Sequence, residues 1–214
     1  MRTLHVVTHP EATHHIDDLV GGHFDSALTP AGERAATLIA QALKDAIPDP
    51  DPSRAELYSS DLTRTRQTAE VIGAALGLPP VLDPRLREKS YGEAEGRPQQ
   101  WLDRQFVPPP AEGDRLNHHE GIEGSETRGD VGRRVYPLMD EILRRSAEHQ
   151  IIVTHGFTLT IVVAAWLGVP LESAGRLAFP VRSGSITTLR EDDFFHNRAL
   201  VRLGDDHHLG EAKG

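Results

Sequence analysis

The sequence is rich in histidine, with twelve among 214 residues and five within the first 23. At neutral pH a histidine acts as a nucleophile or carries a positive charge, depending on its neighbours. Phosphoryl transfer needs an in-line nucleophile, positive charge around the phosphoryl oxygens and an acid that protonates the leaving oxygen. The chain offers candidates for all of these roles in the side chains of His9, Arg64, His155 and Glu88.

These side chains must be brought together by strands that end at a common edge. Strands are predicted at residues 3–8, 56–58 and 151–154, and further short strands at 81–82, 186–189 and 199–203. The first group of three bears on the site. The first ends at His9, the third ends at His155, and the second is followed by a polar turn and a helix that begins near Arg64. Because parallel α/β sheets bind ligands beyond the carboxyl ends of their strands, we expect all three residues at one edge. The helix that follows His155 would add backbone N–H groups that attract an anion.

Helical patterns alternate with the predicted strands. Thr29-Pro30 is a good helix start, and an apolar stripe follows at Ala35, Leu38, Ile39, Ala42, Leu43 and Ala46, until prolines 48, 50 and 52 stop it. A later helix over Val131 to Ile142 contains Pro137, which predicts a kink. Alternation of this kind predicts an α/β fold, a three-layer α/β/α sandwich with a mostly parallel sheet of about six strands.

The chain is expected to be a single domain over residues 1–214. Residues 10–28 are predicted to be a loop. Residues 92–124, rich in Gly, Pro, Glu, Gln and His, are predicted to be an irregular insertion over the catalytic edge.

Composition excludes several classes of function. The formal charge of −9 argues against nucleic acid and anionic membranes as partners. The absence of cysteine excludes disulfides, thiolate catalysis and Cys-based metal sites. The adjacent histidines 14 and 15 lack the spacing of a zinc site, so no metal is expected. The N-terminus has no signal-peptide pattern and the longest apolar run is too short to span a bilayer, so a cytoplasmic protein is expected.

Several blocks of the sequence resemble the signatures of the histidine phosphatase (phosphoglycerate mutase-like) superfamily. The blocks occur in the family's order: Thr8-His9-Pro10-Glu11, Gly22, Asp25-Ser26, Leu28-Thr29, Ser59-Ser60-Asp61-Leu62 with Arg64, Gln67-Thr68-Ala69, Leu86-Arg87-Glu88, Gly92, Glu95-Gly96, Gly124-Ser125-Glu126 and Val153-Thr154-His155-Gly156. Each block alone is weak, but the ordered set covers most of the chain and is specific.

The resemblance implies a phosphohistidine mechanism that uses neither a metal nor a cofactor. His9 would attack phosphorus, Arg64 and His155 would hold the phosphoryl oxygens, and Glu88 would protonate the leaving group. Gly156 would belong to the phosphate site. The partner would be a small phosphorylated substrate, and the sequence leaves a homodimer open.

The chain departs from the family's pattern beside the nucleophile. Thr8 stands where the family has arginine, Pro10 where it has glycine, and His15 where it usually has a phosphate-contacting asparagine. A hydrogen bond to a charged group contributes about 1.5–3 kcal/mol, so losing the arginine should weaken phosphate binding roughly 10- to 100-fold.

Three explanations of the missing arginine stay open. The first is that a histidine (His14, His15 or His23) restores the positive charge and makes activity steeply pH-dependent. The second is that the substrate carries less charge than a phosphomonoester dianion. The third is that phosphatase chemistry was lost.

The main hypothesis is a phosphomonoesterase that acts on a small phosphorylated metabolite. The alternatives are an altered or inactive relative that uses the pocket for binding or for acid–base chemistry on another substrate, and a phosphoglycerate-type mutase.

Overall fold

A computed structural model describes residues 1–47, 51 and 53–210. Its strands are β1 (Arg2–Thr8), β2 (Ala55–Ser59), β3 (Pro80–Leu82), β4 (His149–Thr154), β5 (Ile186–Glu191) and β6 (Arg198–Asp205). They form one sheet in the order β3-β2-β4-β1-β5-β6. The first four strands of that order are parallel, while β5 and β6 are antiparallel to their neighbours. The predicted α/β fold with a mostly parallel six-stranded sheet is confirmed.

Helices cover both faces of the sheet. They are α1 (Thr13–Ile16), α2 (Pro30–Ala46), α3 (Thr63–Leu76), α4 (Gln99–Gln105), α5 (Arg128–Leu143) and α6 (Gly156–Trp166). Residues of α5 and α6 pack in one buried apolar cluster, and residues of α2 and α3 pack in a second cluster against the other face. No α-helix in the described part of the chain is long and apolar enough to cross a bilayer.

The start of α2 follows from its sequence. Thr29 Oγ1 accepts a 3.0 Å hydrogen bond from Gly32 N, and Pro30 occupies the first turn. The buried positions of α2 are Gly32, Ala36, Ile39, Ala40 and Leu43, so the predicted stripe was partly wrong: Leu38 is 44% exposed. Prolines 48, 50 and 52, predicted to stop this helix, lie outside the described residues.

Two segments predicted to be irregular contain helices. The loop prediction for residues 10–28 was wrong at α1, which carries His14 and His15. The insertion at 92–124 was predicted to be irregular throughout, but it contains α4 and a 3₁₀ turn at Gly92–Ala94. Pro137 lies inside α5, which continues to Leu143, so the helix is not interrupted there.

Register brings the chemistry-bearing strand ends together. β4 lies between β1 and β2, with Thr8 opposite Thr154 and Ser59 opposite Val153. The residues that follow these strands therefore leave the sheet at the same edge, as predicted.

Candidate active site

His9 follows β1, and two hydrogen bonds fix its ring. Its Nδ1 lies 2.8 Å from the carbonyl oxygen of Pro10, which can only accept, so Nδ1 carries the proton. Proline at position 10 therefore still provides the carbonyl that orients this ring. Nε2 has the lone pair and accepts a 3.2 Å hydrogen bond from Arg64 Nε. Burial, and then Arg64, lower the pKa of His9 well below its usual value, so the ring is a neutral imidazole whose Nε2 lone pair could act as a nucleophile.

Arg64 lies in the first turn of α3 with its side chain buried, only 1% exposed. Its Nη1 donates to the carbonyl of Phe24 at 2.8 Å, and Nη2 donates to the carbonyl of Gly22 at 2.7 Å. Burial lowers the pKa of Arg64 to about 10, which leaves the guanidinium charged at neutral pH. The side chain thus fixes the loop at 22–24 and presents a permanent positive charge to His9.

His155 follows β4 and meets His9 edge-on, with 5.1 Å between the ring centroids. Its Nε2 lies 3.1 Å from Ser60 Oγ, and Ser60 follows β2. The other nitrogen, Nδ1, is buried and has no hydrogen-bond partner among the described residues. Burial, followed by Arg64, lowers the pKa of His155 well below its usual value. If Nε2 accepts from the Ser60 hydroxyl, Nδ1 carries the proton of the neutral ring and is a donor without a partner among the described residues.

Glu88 is held by the N-terminus of α6. Its Oε1 accepts from Lys89 N at 2.9 Å, Thr158 N at 3.0 Å and Thr158 Oγ1 at 3.1 Å, while Oε2 accepts from Phe157 N at 3.0 Å. The expectation that this helix start would offer its N–H groups to a substrate anion was therefore wrong for residues 157 and 158, whose donors are used by Glu88. Gly156, the first residue of α6, remains on the cavity wall. Glu88 Oε2 makes one hydrogen bond in the structure, so it has acceptor capacity left for a proton.

Arg134, in α5, holds the backbone around Glu88 in place. Its guanidinium donates to the carbonyls of Arg85, Arg87 and Glu88 at 2.7–2.8 Å. It also pairs with both carboxylate oxygens of Glu126, at 2.8 and 2.9 Å. Arg134 thereby fixes the backbone that presents Glu88. Arg133, by contrast, is an exposed partner of Asp130.

The Thr8 side chain points toward a turn at residues 182–185. Its hydroxyl donates to the carbonyl of Arg182 at 2.8 Å and lies 3.2 Å from Ser185 Oγ. Thr8 is 2% exposed, although it contributes to the cavity wall. The hydroxyl is therefore engaged within the protein, which argues against Thr8 replacing an arginine as a ligand of phosphate.

The histidines of α1 lie beside His9. The His15 ring is stacked on the His9 ring, with centroids 5.5 Å apart, and the His14 Nδ1 lies 2.6 Å from Ser26 Oγ. Burial lowers the pKa of His14 to about 3 and also lowers the pKa of His15. His23 Nε2 lies 2.8 Å from the Glu88 carbonyl. At neutral pH His14 and His15 are thus uncharged, which disfavours both as substitutes for the missing arginine. No cluster suited to a metal ion occurs among the described residues.

All seven predicted site residues line one cavity of about 330 Å³: Thr8, His9, His15, Arg64, Glu88, His155 and Gly156. The rest of the wall combines apolar and polar residues: His14, Leu19, Val20, Gly21, Gly22, Tyr91, Gln99, Leu102, Val181, Arg182 and Ser183. Gln99 and Leu102 belong to α4, so the segment at 92–124 contributes to the cavity. The volume suits a small-molecule ligand.

Comparisons with known proteins agree with this geometry. Residues 4–205 match the model of the histidine phosphatase superfamily (branch 1). A curated relative, the probable phosphoglycerate mutase GpmB of Yersinia pestis (strain Pestoides F), is 32% identical over 216 residues, which are 98% of this chain and 95% of the relative.

Solved structures with the same fold include several hydrolases. Mycobacterial hydrolase 1 has a TM-score of 0.76 and 25% identity, covering 96% of this chain and 99% of that one. A mycobacterial glucosyl-3-phosphoglycerate phosphatase in complex with VO3 has a TM-score of 0.76 and 24% identity, covering 95% and 98%. The alpha-ribazole phosphatase of Shigella flexneri has a TM-score of 0.74 and 22% identity, covering 95% and 96%. These similarities extend over nearly the whole of each chain.

Proposed function

Since the chain belongs to the histidine phosphatase superfamily, we propose that it is a phosphomonoesterase that hydrolyses a small phosphorylated metabolite through a phosphohistidine at His9. One observation carries the proposal. The Nε2 lone pair of a neutral His9 faces Arg64 in the cavity that also contains Glu88 and His155. Nucleophile, fixed cation and carboxylate thus occupy one pocket, as phosphoryl transfer requires.

Substrate binding would release the nucleophile. The His9 Nε2 lone pair is engaged by Arg64 Nε, and this contact has to give way before Nε2 can attack. A phosphoryl oxygen is a stronger acceptor than an imidazole nitrogen, because it carries negative charge. Arg64 would therefore transfer its hydrogen bond to the substrate and leave Nε2 directed at phosphorus.

The first chemical step forms the phosphoenzyme. His9 Nε2 bonds to phosphorus, the bond from phosphorus to the leaving oxygen breaks, and that oxygen takes a proton from Glu88. Arg64 and the unpartnered His155 Nδ1 would face the phosphoryl oxygens as charge shifts onto them. The leaving alcohol then departs past the apolar side chains of Leu19, Val20 and Leu102.

The second step hydrolyses the phosphoenzyme. A water molecule bonds to phosphorus, gives a proton to the Glu88 carboxylate, and the bond between phosphorus and Nε2 breaks. Inorganic phosphate and the original forms of His9 and Glu88 result. Glu88 thus acts first as an acid and then as a base, as microscopic reversibility of the two half-reactions suggests.

The experiment is phosphate release from p-nitrophenyl phosphate, with His9→Ala as the matched variant. Wild-type protein should release phosphate and form a phosphoprotein that is labile in acid, detected by mass spectrometry after rapid quenching. His9→Ala should lose both signals. Zero release between about pH 5 and pH 8, unchanged by His9→Ala, would favour a binding protein without this chemistry. Turnover of an unphosphorylated metabolite without any trapped phosphoprotein would favour acid–base chemistry.

A mutase is the second candidate, favoured by the probable phosphoglycerate mutase with 32% identity. The two activities differ in the fate of the phosphoryl group, which passes to water in one and back to a glycerate in the other. Incubation with 3-phosphoglycerate separates them, because phosphate and 2-phosphoglycerate are measured in the same sample. Isomer formation faster than phosphate release would replace the phosphatase proposal.

A further inference from the structure

The fixed positive charges in the cavity wall are few. Of the described residues that line the cavity, Arg64 and Arg182 are the only lysine or arginine side chains. Arg64 already donates to two backbone carbonyls and to His9. The imidazoles of His9, His15 and His155 have lowered pKa values and are neutral at neutral pH. A phosphoryl dianion in this cavity would therefore need a further cation, and Arg182 is the one at hand.

The backbone of Arg182 is fixed directly beside the nucleophile strand. The Thr8 hydroxyl donates to the Arg182 carbonyl, and Gly184 N lies 3.1 Å from the Thr8 carbonyl and 3.2 Å from the His9 carbonyl. The same turn leads into β5, where Ile186 pairs with Val7. The Thr8 side chain therefore points toward the backbone from which the Arg182 side chain extends.

The guanidinium of Arg182 is held only weakly. The side chain is 79% exposed, and its polar contact is Nη1 to Asp206 Oδ2 at 3.2 Å. Exposed ion pairs of this type contribute little to stability, because both partners are well solvated and the pairing restricts long side chains. A bound phosphoryl group can therefore compete with Asp206 for Arg182 at small cost.

We propose that Arg182 turns from Asp206 into the cavity when substrate binds and supplies the phosphoryl group with the second arginine that position 8 lacks. The inference rests on the proposed function, because it assigns a phosphoryl ligand to the same cavity. The proposal also accounts for Thr8. The Thr8 hydroxyl holds the backbone of Arg182, and Arg182 supplies the guanidinium that an arginine at position 8 would have supplied. Arg182 would bind non-bridging oxygens and take no part in proton transfer.

The test is binding of inorganic phosphate and of vanadate by calorimetry at about pH 7.5, in wild type and in Arg182→Gln. Neither probe has a leaving group, so the affinity reports the phosphoryl site alone. We expect Arg182→Gln to weaken binding about 10- to 100-fold, the value of a lost hydrogen bond between charged groups. Asp206→Asn should strengthen binding by up to about 5-fold, because Arg182 loses its competing partner.

The matched control is Arg202→Gln. Arg202 is another exposed arginine that pairs with an aspartate, Asp205, but it does not line the cavity. We expect Arg202→Gln to bind phosphate as wild type does. Equal affinities of Arg182→Gln and Arg202→Gln would overturn the inference. A loss confined to substrates with an anionic leaving group, with vanadate affinity unchanged, would also overturn it and would place Arg182 at the leaving group.

The double variant Thr8→Arg/Arg182→Gln tests whether the two positions are equivalent. If an arginine from either side serves the same oxygens, this variant should bind vanadate more tightly than Arg182→Gln alone, provided that circular dichroism confirms folding. Failure of the proposed function remains distinguishable. A wild-type protein that binds phosphate through Arg182 but releases none from esters would contradict the phosphatase proposal and leave this inference standing.

Discussion

The substitution Glu88→Gln separates the chemical role of this residue from its structural role. Glu88 is the only acidic side chain among the described residues that line the cavity, and glutamine has nearly the same shape. The carboxylate also accepts four hydrogen bonds, three of them from the first turn of α6. The variant therefore removes a proton donor and weakens a helix cap at once, and the two effects have to be measured apart.

The structural cost follows from the hydrogen bonds. An amide with its oxygen in the place of Oε1 keeps the donors of Lys89 and Thr158 and places its NH2 group against Phe157 N. One hydrogen bond to a charged acceptor is lost, at about 1.5–3 kcal/mol. Removing negative charge from a helix N-terminus costs about 0.3–1 kcal/mol. The sum of about 2–4 kcal/mol is smaller than the free energy of unfolding of a typical protein, about 5–15 kcal/mol, so the variant should fold.

The chemical cost depends on the leaving group. An alkoxide needs a proton as it departs, whereas p-nitrophenolate departs without one. We expect Glu88→Gln to lower kcat/KM about 10²- to 10⁴-fold on an alkyl phosphate, the usual contribution of a positioned general acid. On p-nitrophenyl phosphate the loss should be about 10-fold or less. The assay is kcat/KM for both esters, with the free energy of unfolding measured by urea denaturation.

A matched control is Glu95→Gln. The Glu95 carboxylate accepts from His23 N, Ser90 Oγ and Tyr91 N through one oxygen, and it does not line the cavity. This variant should change kcat/KM on both esters by the same factor. If Glu88→Gln also lowered both equally, the reasoning would be refuted, because a displaced cap alone would explain the loss.

Two further predictions concern stability. Burial holds the pKa of His9 and His155 well below the value of about 6.5 in the unfolded chain. As the pH falls, both rings are therefore protonated in the unfolded chain before they are protonated in the folded protein, and the folded state is destabilised. The contribution of these neutral rings to the free energy of unfolding is complete above about pH 6.5 and is lost below it, at about 1.4 kcal/mol per pH unit for each ring. Urea denaturation at about pH 7.5 and pH 5.5 measures this change. An unchanged free energy of unfolding would contradict the assignment. A Cβ at Gly92 would lie 2.0 Å from the Glu123 carbonyl oxygen, whereas one at Gly77 would meet nothing, and both residues have positive φ. Gly92→Ala should therefore lower the melting temperature well beyond Gly77→Ala, which should cost about 1 kcal/mol, and equal shifts would argue against close packing at residue 92.

The meeting of the two histidines could be predicted because it follows from topology. Apolar runs of strand length end at His9 and His155, and parallel neighbours must release their following residues at one edge. The strand β4 could be recognised from the apolar run Ile151-Ile152-Val153, which is typical of a buried parallel strand. The residue roles at this edge stay predictions, although the side chains lie together.

Other features could not be predicted because they depend on contacts between distant segments. The four-residue α1 is too short to have a helical period, so the sequence around His14 gives no signal of it. Arg134 has the spacing of an ordinary helix-surface residue, and only the fold brings the carbonyls of 85–88 to it. The cap formed by Glu88 on α6 joins residues seventy positions apart. Hydrogen bonds between residues so far apart in the chain produce no periodic pattern in the sequence.

The charge of the cavity wall bears on which reaction it suits. Among the described residues that line it, the only lysine or arginine side chains are Arg64 and Arg182, so the wall offers little fixed positive charge to a dianion. Arg182 forms an ion pair with Asp206, and this pair has to break before Arg182 can reach an oxygen of the phosphoryl group. Inorganic phosphate should consequently be held less firmly than in a site with two pre-positioned arginines. A hydrolase benefits from such a site, because each turnover ends with phosphate release and product release limits many enzymes. A mutase has the opposite need, since it must keep the phosphoryl group on His9 while one glycerate orientation replaces another. Weak binding of the phosphoryl group therefore favours hydrolysis.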